Sequence, residues 1–169
     1  MSLRHALLGA LADQPRSGYE LLKHFEQSLA YAWPASHSQI YPELGRLLSE
    51  QLIEQTAAGA RGSKTYALTD TGLAEVRRWL RETEPDRRVR NDALLRMFFL
   101  WLLEPDEARE HLERERAYWQ GILAKLREIE AKPPGQTRKE RAFRLSLEGG
   151  IRMVESRAHW LDWAVDQRI

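Results

Sequence analysis

Cysteine is absent from this 169-residue sequence, and long hydrophobic runs are absent as well. The lack of cysteine excludes disulfides and thiolate metal sites and suits a reducing compartment, so we expect a cytoplasmic protein. The longest apolar stretch runs only from Met97 to Leu103, whereas a membrane-spanning helix needs roughly 20 apolar residues. The sequence therefore predicts no membrane partner.

A large excess of charge of one sign is also missing. The net charge is +1, with 9 basic and 10 acidic side chains in residues 1–84 and 17 and 15 in residues 85–169. Global basicity therefore gives no argument for a nucleic-acid partner. If the N-terminal half binds DNA, it must do so through a local patch.

Hydrophobic periodicity predicts two helices at the start of the chain. The first extends from Leu3 to Leu11, with Leu3, Leu7 and Leu11 on one face. Ser17 and Glu20 have the spacing of a capping box, in which each side chain bonds the backbone amide of the other, and this opens the second helix. The predicted inward face of the second helix consists of Tyr19, Leu22, Phe25 and Leu29.

A third helix, two strands and a fourth helix are predicted next. The third helix begins near Ser36 or Ser38, because Pro42 is tolerated only close to a helix start. β-branched and aromatic residues predict strands at 53–56 and 65–68, joined by a glycine-containing loop. The expected inward residues are Ile40, Leu44, Leu47 and Leu48 on the third helix and Leu73, Val76, Trp79 and Leu80 on a fourth helix capped by the hydroxyl of Thr69.

This order of elements is that of a winged helix-turn-helix, which indicates DNA binding. A helix fits the major groove, and the free amides at its N-terminus favour a phosphate. Glutamine suits adenine edges, arginine suits guanine or phosphate, and hydroxyl groups suit phosphate. The candidate DNA contacts are Ser36, Ser38, Gln39, Tyr41 and Arg46 on the third helix, with Arg61 and Lys64 on the wing.

Structural roles remain open for the same residues. Tyr41 is equally well explained as a packing residue under the helix start. Arg46 has helical spacing to both Glu43 and Glu50 and can form a solvent-exposed ion pair with either. The loop that carries Arg61 also suits a plain hairpin.

Four motifs stand out along the first half of the chain: Ser17-Gly18-Tyr19-Glu20-Leu21, Ser36-His37-Ser38-Gln39-Ile40-Tyr41-Pro42-Glu43-Leu44 with Leu47, Leu52-Ile53, and Tyr66-Ala67-Leu68-Thr69 with Gly72. With these motifs the sequence resembles the PadR family of transcriptional regulators over roughly residues 5–80. The branch with a long helical C-terminal region, related to virulence-gene activators, is the most similar. Gln51 stands where relatives often have glycine.

The resemblance implies a dimeric transcription factor, usually a repressor, that binds palindromic operators. It implies that the third helix reads bases and that the loop with Arg61 is the wing. In many relatives, small aromatic compounds release the DNA.

The C-terminal half is predicted to be a separate helical domain. Residues 85–90 combine a proline with dense charge and almost no apolar residue, so we expect domains at 1–84 and 85–169. The first helix of this half, Asn91–Leu103, is apolar on every side and is expected to be buried between its own neighbours and a second subunit. Two longer helices are expected to pack antiparallel as a coiled-coil dimerisation module, with seams of Ala108, Leu112, Trp119, Ile122, Leu126 and Ile129, and of Phe143, Leu147, Gly150, Val154, Ala158, Leu161 and Val165.

Four aromatic residues of this half are candidates for an aromatic ligand site, with packing in the interface as the alternative explanation. They are Phe98, Trp101, Trp119 and Trp160.

The sequence offers no catalytic motif, so we expect neither an enzyme nor a cofactor. His111 and Glu115 lie one helical turn apart, but two ligands do not make a metal site. The predicted fold is therefore mainly α-helical with a small β-wing. The predicted function is a homodimeric, sequence-specific DNA-binding regulator, with a dimeric protein-interaction module that does not bind DNA as the alternative.

Overall fold

The computed structural model describes residues 2–26, 35–58, 64–87, 91–133 and 135–167. The chain divides into two compact units, Met1–Arg87 and Arg88–Ile169. The assignment of separate functions to residues 1–84 and 85–169 stays a prediction.

The first unit combines helices with a three-stranded antiparallel sheet in the order β1–β3–β2. The β1 strand has two residues and was not predicted; it pairs Arg16 with Tyr66 and Ser17 with Thr65. The helices are α1 (Ser2–Leu11), α2 (Gly18–His24), α3 (His37–Ser49) and α4 (Asp70–Glu82), and the strands are β1 (Arg16–Ser17), β2 (Ile53–Ala58) and β3 (Lys64–Leu68).

The core of this unit lies between the helices and the sheet. The fully buried side chains include Leu7, Leu8, Leu21, Phe25, Ile40, Leu44, Leu47 and Ile53. The predicted inward face of α3 is thereby confirmed. Two other predictions are wrong: Tyr19 and Leu80 are 68% and 69% exposed, because α2 buries Leu21 instead and the buried residues of α4 are Gly72 and Val76. Leu29, also predicted to be inward, lies outside the described residues.

The second unit is an antiparallel pair of long helices preceded by two short ones. Ala108 and Leu112, near the start of the first long helix, share a core cluster with Leu161 near the end of the second. Leu126, near the other end, packs with Ile151. The antiparallel arrangement is therefore confirmed. The elements are α5 (Asp92–Met97), a 3-10 helix (Leu100–Leu102), α6 (Pro105–Glu130) and α7 (Arg138–Val165).

The prediction of one continuous helix over Asn91–Leu103 is wrong. The α5 helix ends at Met97, and a turn at Phe98 and Phe99 leads into the 3-10 helix. Only Leu100 of this stretch is buried within the single chain, because a short turn cannot direct every side chain towards one small core. We call Leu94–Leu103 the apolar segment; its exposed members are Leu94, Leu95, Phe98, Phe99, Trp101, Leu102 and Leu103.

The seam between α6 and α7 follows the prediction at most positions. Phe143 and Ile129 are exposed, so the predicted seam is too long at this end of the helix pair. Ile151 is buried, whereas the predicted Gly150 is only half-buried. A cap closes the same end, where Arg144 donates to the carbonyl of Glu130 at 2.8 Å and to its carboxylate at 3.0 Å.

Candidate nucleic-acid interface

The α3 helix begins with a cluster of exposed polar groups. Ser36 is the N-cap, and its backbone N–H and hydroxyl donate to Oε1 of Gln39 at 3.0 and 3.1 Å. The hydroxyls of Ser36 and Ser38 are 2.9 Å apart. Three of the predicted DNA contacts are thus brought together, and the amide oxygen of Gln39 holds the helix start while its side chain remains exposed.

Tyr41 combines an exposed surface with a packing contact. Its ring contacts the ring of His37 at a centroid distance of 4.2 Å, with the two planes tilted by 34°, and the residue is 40% exposed. The ring also lies over Gly18, where an added Cβ would be 2.8 Å from a ring carbon. Gly18 therefore provides the space in which Tyr41 joins α2 to the start of α3.

Arg46 lies on the outward face of α3 and is paired with Glu43. Its Nη1 donates to Oε2 of Glu43 at 3.0 Å, and the Arg46 side chain is 70% exposed. The other carboxylate within reach, Glu50, accepts bonds from both terminal nitrogens of Arg4. The Arg4 guanidinium holds the pKa of Glu50 below its usual range.

The turn after α3 has a left-handed residue at Gln51, with φ 57°. The N–H of Gln51 donates to the carbonyl of Leu48 and the N–H of Leu52 to that of Leu47, both at 3.0 Å. These two bonds define a Schellman motif, whose left-handed position is usually glycine. Gln51 therefore adopts a conformation that suits glycine best, and both backbone bonds of the turn are present.

Thr69 and Gly72 hold the same turn from the side of α4. The hydroxyl of Thr69 accepts from the N–H of Gly72 at 3.0 Å and lies 2.9 Å from the carbonyl oxygens of Gln51 and Leu52. A Cβ on Gly72 would be only 2.1 Å from the carbonyl oxygen of Leu52. The start of α4 therefore fixes the direction in which the chain leaves α3.

A buried histidine, which the sequence analysis did not identify, connects α1 to α4. His5 is 7% exposed and stacks on Trp79 at 4.6 Å with an angle of 8° between the rings. Its Nε2 lies 3.0 Å from Oε1 of Glu75. A hydrogen bond from Arg78, and to a smaller extent one from His5, lowers the pKa of Glu75 to about 2. This contact orients α4 and is separate from the exposed face of α3.

The wing is described only at its strands. Lys64 is exposed and begins β3, opposite Ala58 of β2. Arg61, the other predicted wing contact, lies outside the described residues.

The predicted aromatic ligand residues fall into two pairs. Trp119 and Trp160 are half-buried and pack against the core cluster that contains Leu100. The guanidinium of Arg157 lies over the Trp119 ring, 4.7 Å from its centroid. Phe98 and Trp101 are instead 71% and 70% exposed on the apolar segment.

Neither a metal cluster nor a membrane-spanning helix is found within the described residues. Across those ranges no three His, Cys, Asp or Glu side chains are grouped as metal ligands, and no helix is long and apolar enough to cross a bilayer. His111 has a buried Nε2 without a hydrogen-bond partner.

Comparison with known proteins gives relatives over the full length of the chain. The family model described as the transcriptional regulator PadR-like family matches residues 7–78, and the model described as virulence activator alpha C-term matches residues 89–167. The negative transcriptional regulator PadR of Bacillus subtilis is 31% identical over 171 residues, covering 95% of this chain and 93% of the relative.

Solved structures of Bacillus subtilis PadR have the same fold. PadR in complex with operator DNA has a TM-score of 0.84 and 28% identity, with 98% of each chain covered. PadR in complex with p-coumaric acid has a TM-score of 0.79 and 28% identity, with 98% of this chain and 97% of that chain covered. The winged unit, its helical partner and these full-length matches together show that the chain belongs to the PadR-like family of transcriptional regulators.

Proposed function

We propose that this protein is a homodimeric repressor that binds a palindromic operator in the cytoplasm and has no enzyme activity. The observation that carries the proposal is the full-length similarity to PadR bound to operator DNA, at 28% identity and a TM-score of 0.84. The geometry of α3 agrees with it. Ile40, Leu44 and Leu47 are buried, which leaves Gln39 and Arg46, two helical turns apart, together on the outward face.

The proposed base-reading surface consists of the exposed α3 residues, and the wing supplies backbone contacts. A helix that enters the major groove reads base edges with side chains from one face, and a basic loop neutralises phosphates. Ser36, Ser38 and Tyr41 would then donate to phosphates, and Gln39 and Arg46 would face bases. Arg61 and Lys64 would follow the backbone beside the groove.

The apolar segment is the proposed subunit interface. Seven of its large apolar side chains are exposed in the single chain, with Phe98 and Trp101 above two-thirds exposed. Monomeric proteins rarely expose contiguous apolar patches larger than a few hundred Å². A second copy would cover this surface, and two-fold symmetry would match the two halves of a palindrome.

A small aromatic acid is the proposed effector, by analogy with the PadR complex with p-coumaric acid. Trp119 and Trp160 would supply aromatic walls, and Arg157 places a cation beside Trp119. Phe98 and Trp101 would complete such a site only if the second copy encloses them.

The first experiment is selection from a randomised pool of duplex DNA at near-physiological salt. The expected result is an enriched inverted repeat, whose half-site spacing reports the distance between the two α3 helices. If a folded, dimeric protein enriches no sequence, the function proposed here is wrong and the protein-interaction module becomes the better explanation.

Two variants then separate wing from helix on the selected operator. Lys64→Ala should weaken binding to any DNA and reduce the slope of log affinity against log salt by about 0.9, the loss of one phosphate contact. Gln39→Ala should change the preferred sequence. Lys125→Ala is the matched control, because Lys125 is also an exposed lysine but lies on α6.

The interface is tested by sedimentation velocity. Trp101→Ser should move the protein from dimer to monomer at micromolar concentration, since it removes a large exposed aromatic side chain from the proposed contact. Leu80→Ser, at a position with similar exposure on α4, should leave the dimer intact. Dimers that persist in Trp101→Ser and in Phe98→Ser would place the interface elsewhere.

A further inference from the structure

The outward face of α3 carries an acidic residue as well as a basic one. Arg46 donates from Nη1 to Oε2 of Glu43 at 3.0 Å, and the two side chains differ sharply in exposure, at 70% and 14%. Glu43 is thus held against the protein surface while the guanidinium extends into solvent.

A second ion pair lies beside the first. Glu50 lies one helical turn after Arg46 and is the other carboxylate on this side of α3, and both terminal nitrogens of Arg4 bind it. In the structure, Arg46 is paired with Glu43 and Glu50 with Arg4.

Holding an exposed arginine has two consequences for a DNA reader. A free arginine side chain loses rotamer entropy when it is fixed, and a partner that orients it beforehand reduces that loss on binding. The bond to Glu43 uses one of the five N–H donors of the guanidinium, which leaves donors for the paired acceptors of a guanine edge. The carboxylate also places a negative charge near the phosphates, which weakens contact with DNA that offers no compensating base contact.

We propose that Glu43 is a positioning residue that orients Arg46 towards one guanine of each half-site and suppresses binding to unrelated DNA. This inference rests on the proposed function, because it requires α3 to enter the major groove. Glu43 contacts no base in this scheme and acts on specificity through Arg46.

The test measures affinity for the selected operator and for an unrelated duplex of equal length, using the full-length protein. Glu43→Gln should bind the unrelated duplex more tightly and the operator no more tightly than wild type. The ratio of the two dissociation constants should fall by about tenfold, the lower part of the range for loss of one oriented arginine–guanine contact. Arg46→Ala should lower the same ratio. In a repeated selection, Glu43→Gln and Arg46→Ala should lose preference at the same base pair of the half-site.

The double variant Glu43→Gln/Arg46→Ala distinguishes positioning from a structural role. If Glu43 acts through Arg46, adding Glu43→Gln to Arg46→Ala leaves the ratio unchanged, whereas a structural role lowers it again. Glu43→Asp, which keeps the charge, should restore part of the ratio. If Glu43→Gln does not fold, Arg46→Lys is the substitute variant, because it changes only an exposed side chain. It should also lose preference at that base pair.

The outcomes separate the two proposals. A wild-type protein that selects no DNA refutes the proposed function and this inference with it. A wild-type protein that selects an operator, combined with an unchanged specificity ratio in Glu43→Gln, refutes the inference alone. The inference is also refuted if Glu43→Gln lowers the specificity ratio equally in the wild-type protein and in Arg46→Ala.

Discussion

Replacing Gln51 with glycine should stabilise the first unit. Gln51 has φ 57°, a left-handed conformation that costs a residue with a Cβ roughly 1–2 kcal/mol. Glycine removes this strain but loses roughly 0.5–1 kcal/mol more conformational entropy on folding. The Schellman bonds of this turn involve only backbone atoms, so both remain. We therefore expect a net gain of about 0.5–1 kcal/mol.

For a unit of this size, such a gain raises the melting temperature by about 4 °C. Calorimetry of the full-length protein measures the shift, and hydrogen exchange of peptides from α3 and β2 assigns it to the first unit. Gln51→Ala is the matched control, because it removes the side chain but keeps the Cβ and the strain. If Gln51→Gly is no more stable than Gln51→Ala, the left-handed turn is not a source of strain and the reasoning fails.

Three further predictions concern residues of α3 and α4. Gly72→Ala should destabilise the protein by about 2–3 kcal/mol, because the new Cβ would be 2.1 Å from the carbonyl oxygen of Leu52; Gly45→Ala, with open space in α3, should stabilise it by about 0.5–1 kcal/mol. Urea titrations check both, and a stable Gly72→Ala would show that the backbone can move apart. Glu75→Gln should cost on the order of 1 kcal/mol at pH 7 after solvent screening, since the bond from Arg78 stabilises the carboxylate. As the folded-state pKa of Glu75 is about 2 against an ordinary value of 4.5, this advantage is present above pH 4.5 and disappears as the pH falls towards 2. Thermal unfolding across that range should bring wild type and variant together, and a constant difference would contradict it.

Local sequence signals predicted much of the first unit. The capping box at Ser17 and Glu20 is present, as is the cap at Thr69, because each depends on residues three positions apart. The inward stripe of α3 was also correct, since helical spacing alone determines it.

Contacts between distant residues were beyond prediction. The β1 strand consists of two residues, too few to show alternation, and exists because Arg16 meets Tyr66 far along the chain. The burial of His5 depends on Trp79 and Glu75, whose positions in space no local pattern provides. The sequence predicted one helix over Asn91–Leu103, because apolar content does not show where α-helical hydrogen bonds end and a 3-10 turn begins.

Among the candidate site residues, sequence identified residue types better than pairing. It gave two possible partners for Arg46, and the structure pairs it with Glu43, while Glu50 binds Arg4 across a separation of 46 residues. It also suggested two roles for Tyr41, packing and DNA contact. The structure shows the packing contact with Gly18 and leaves the ring partly exposed.

The anchored turn at Gln51 and Leu52 sets limits on redesign. Because the turn contacts Thr69 and Gly72, the end of α3, the turn and the start of α4 form one structural unit. An engineer who wants to change the DNA sequence that the protein binds can vary the outward positions of α3 without disturbing these contacts. A helix grafted from a relative, by contrast, must bring its own turn and the matching start of α4, or the wing will point in a different direction.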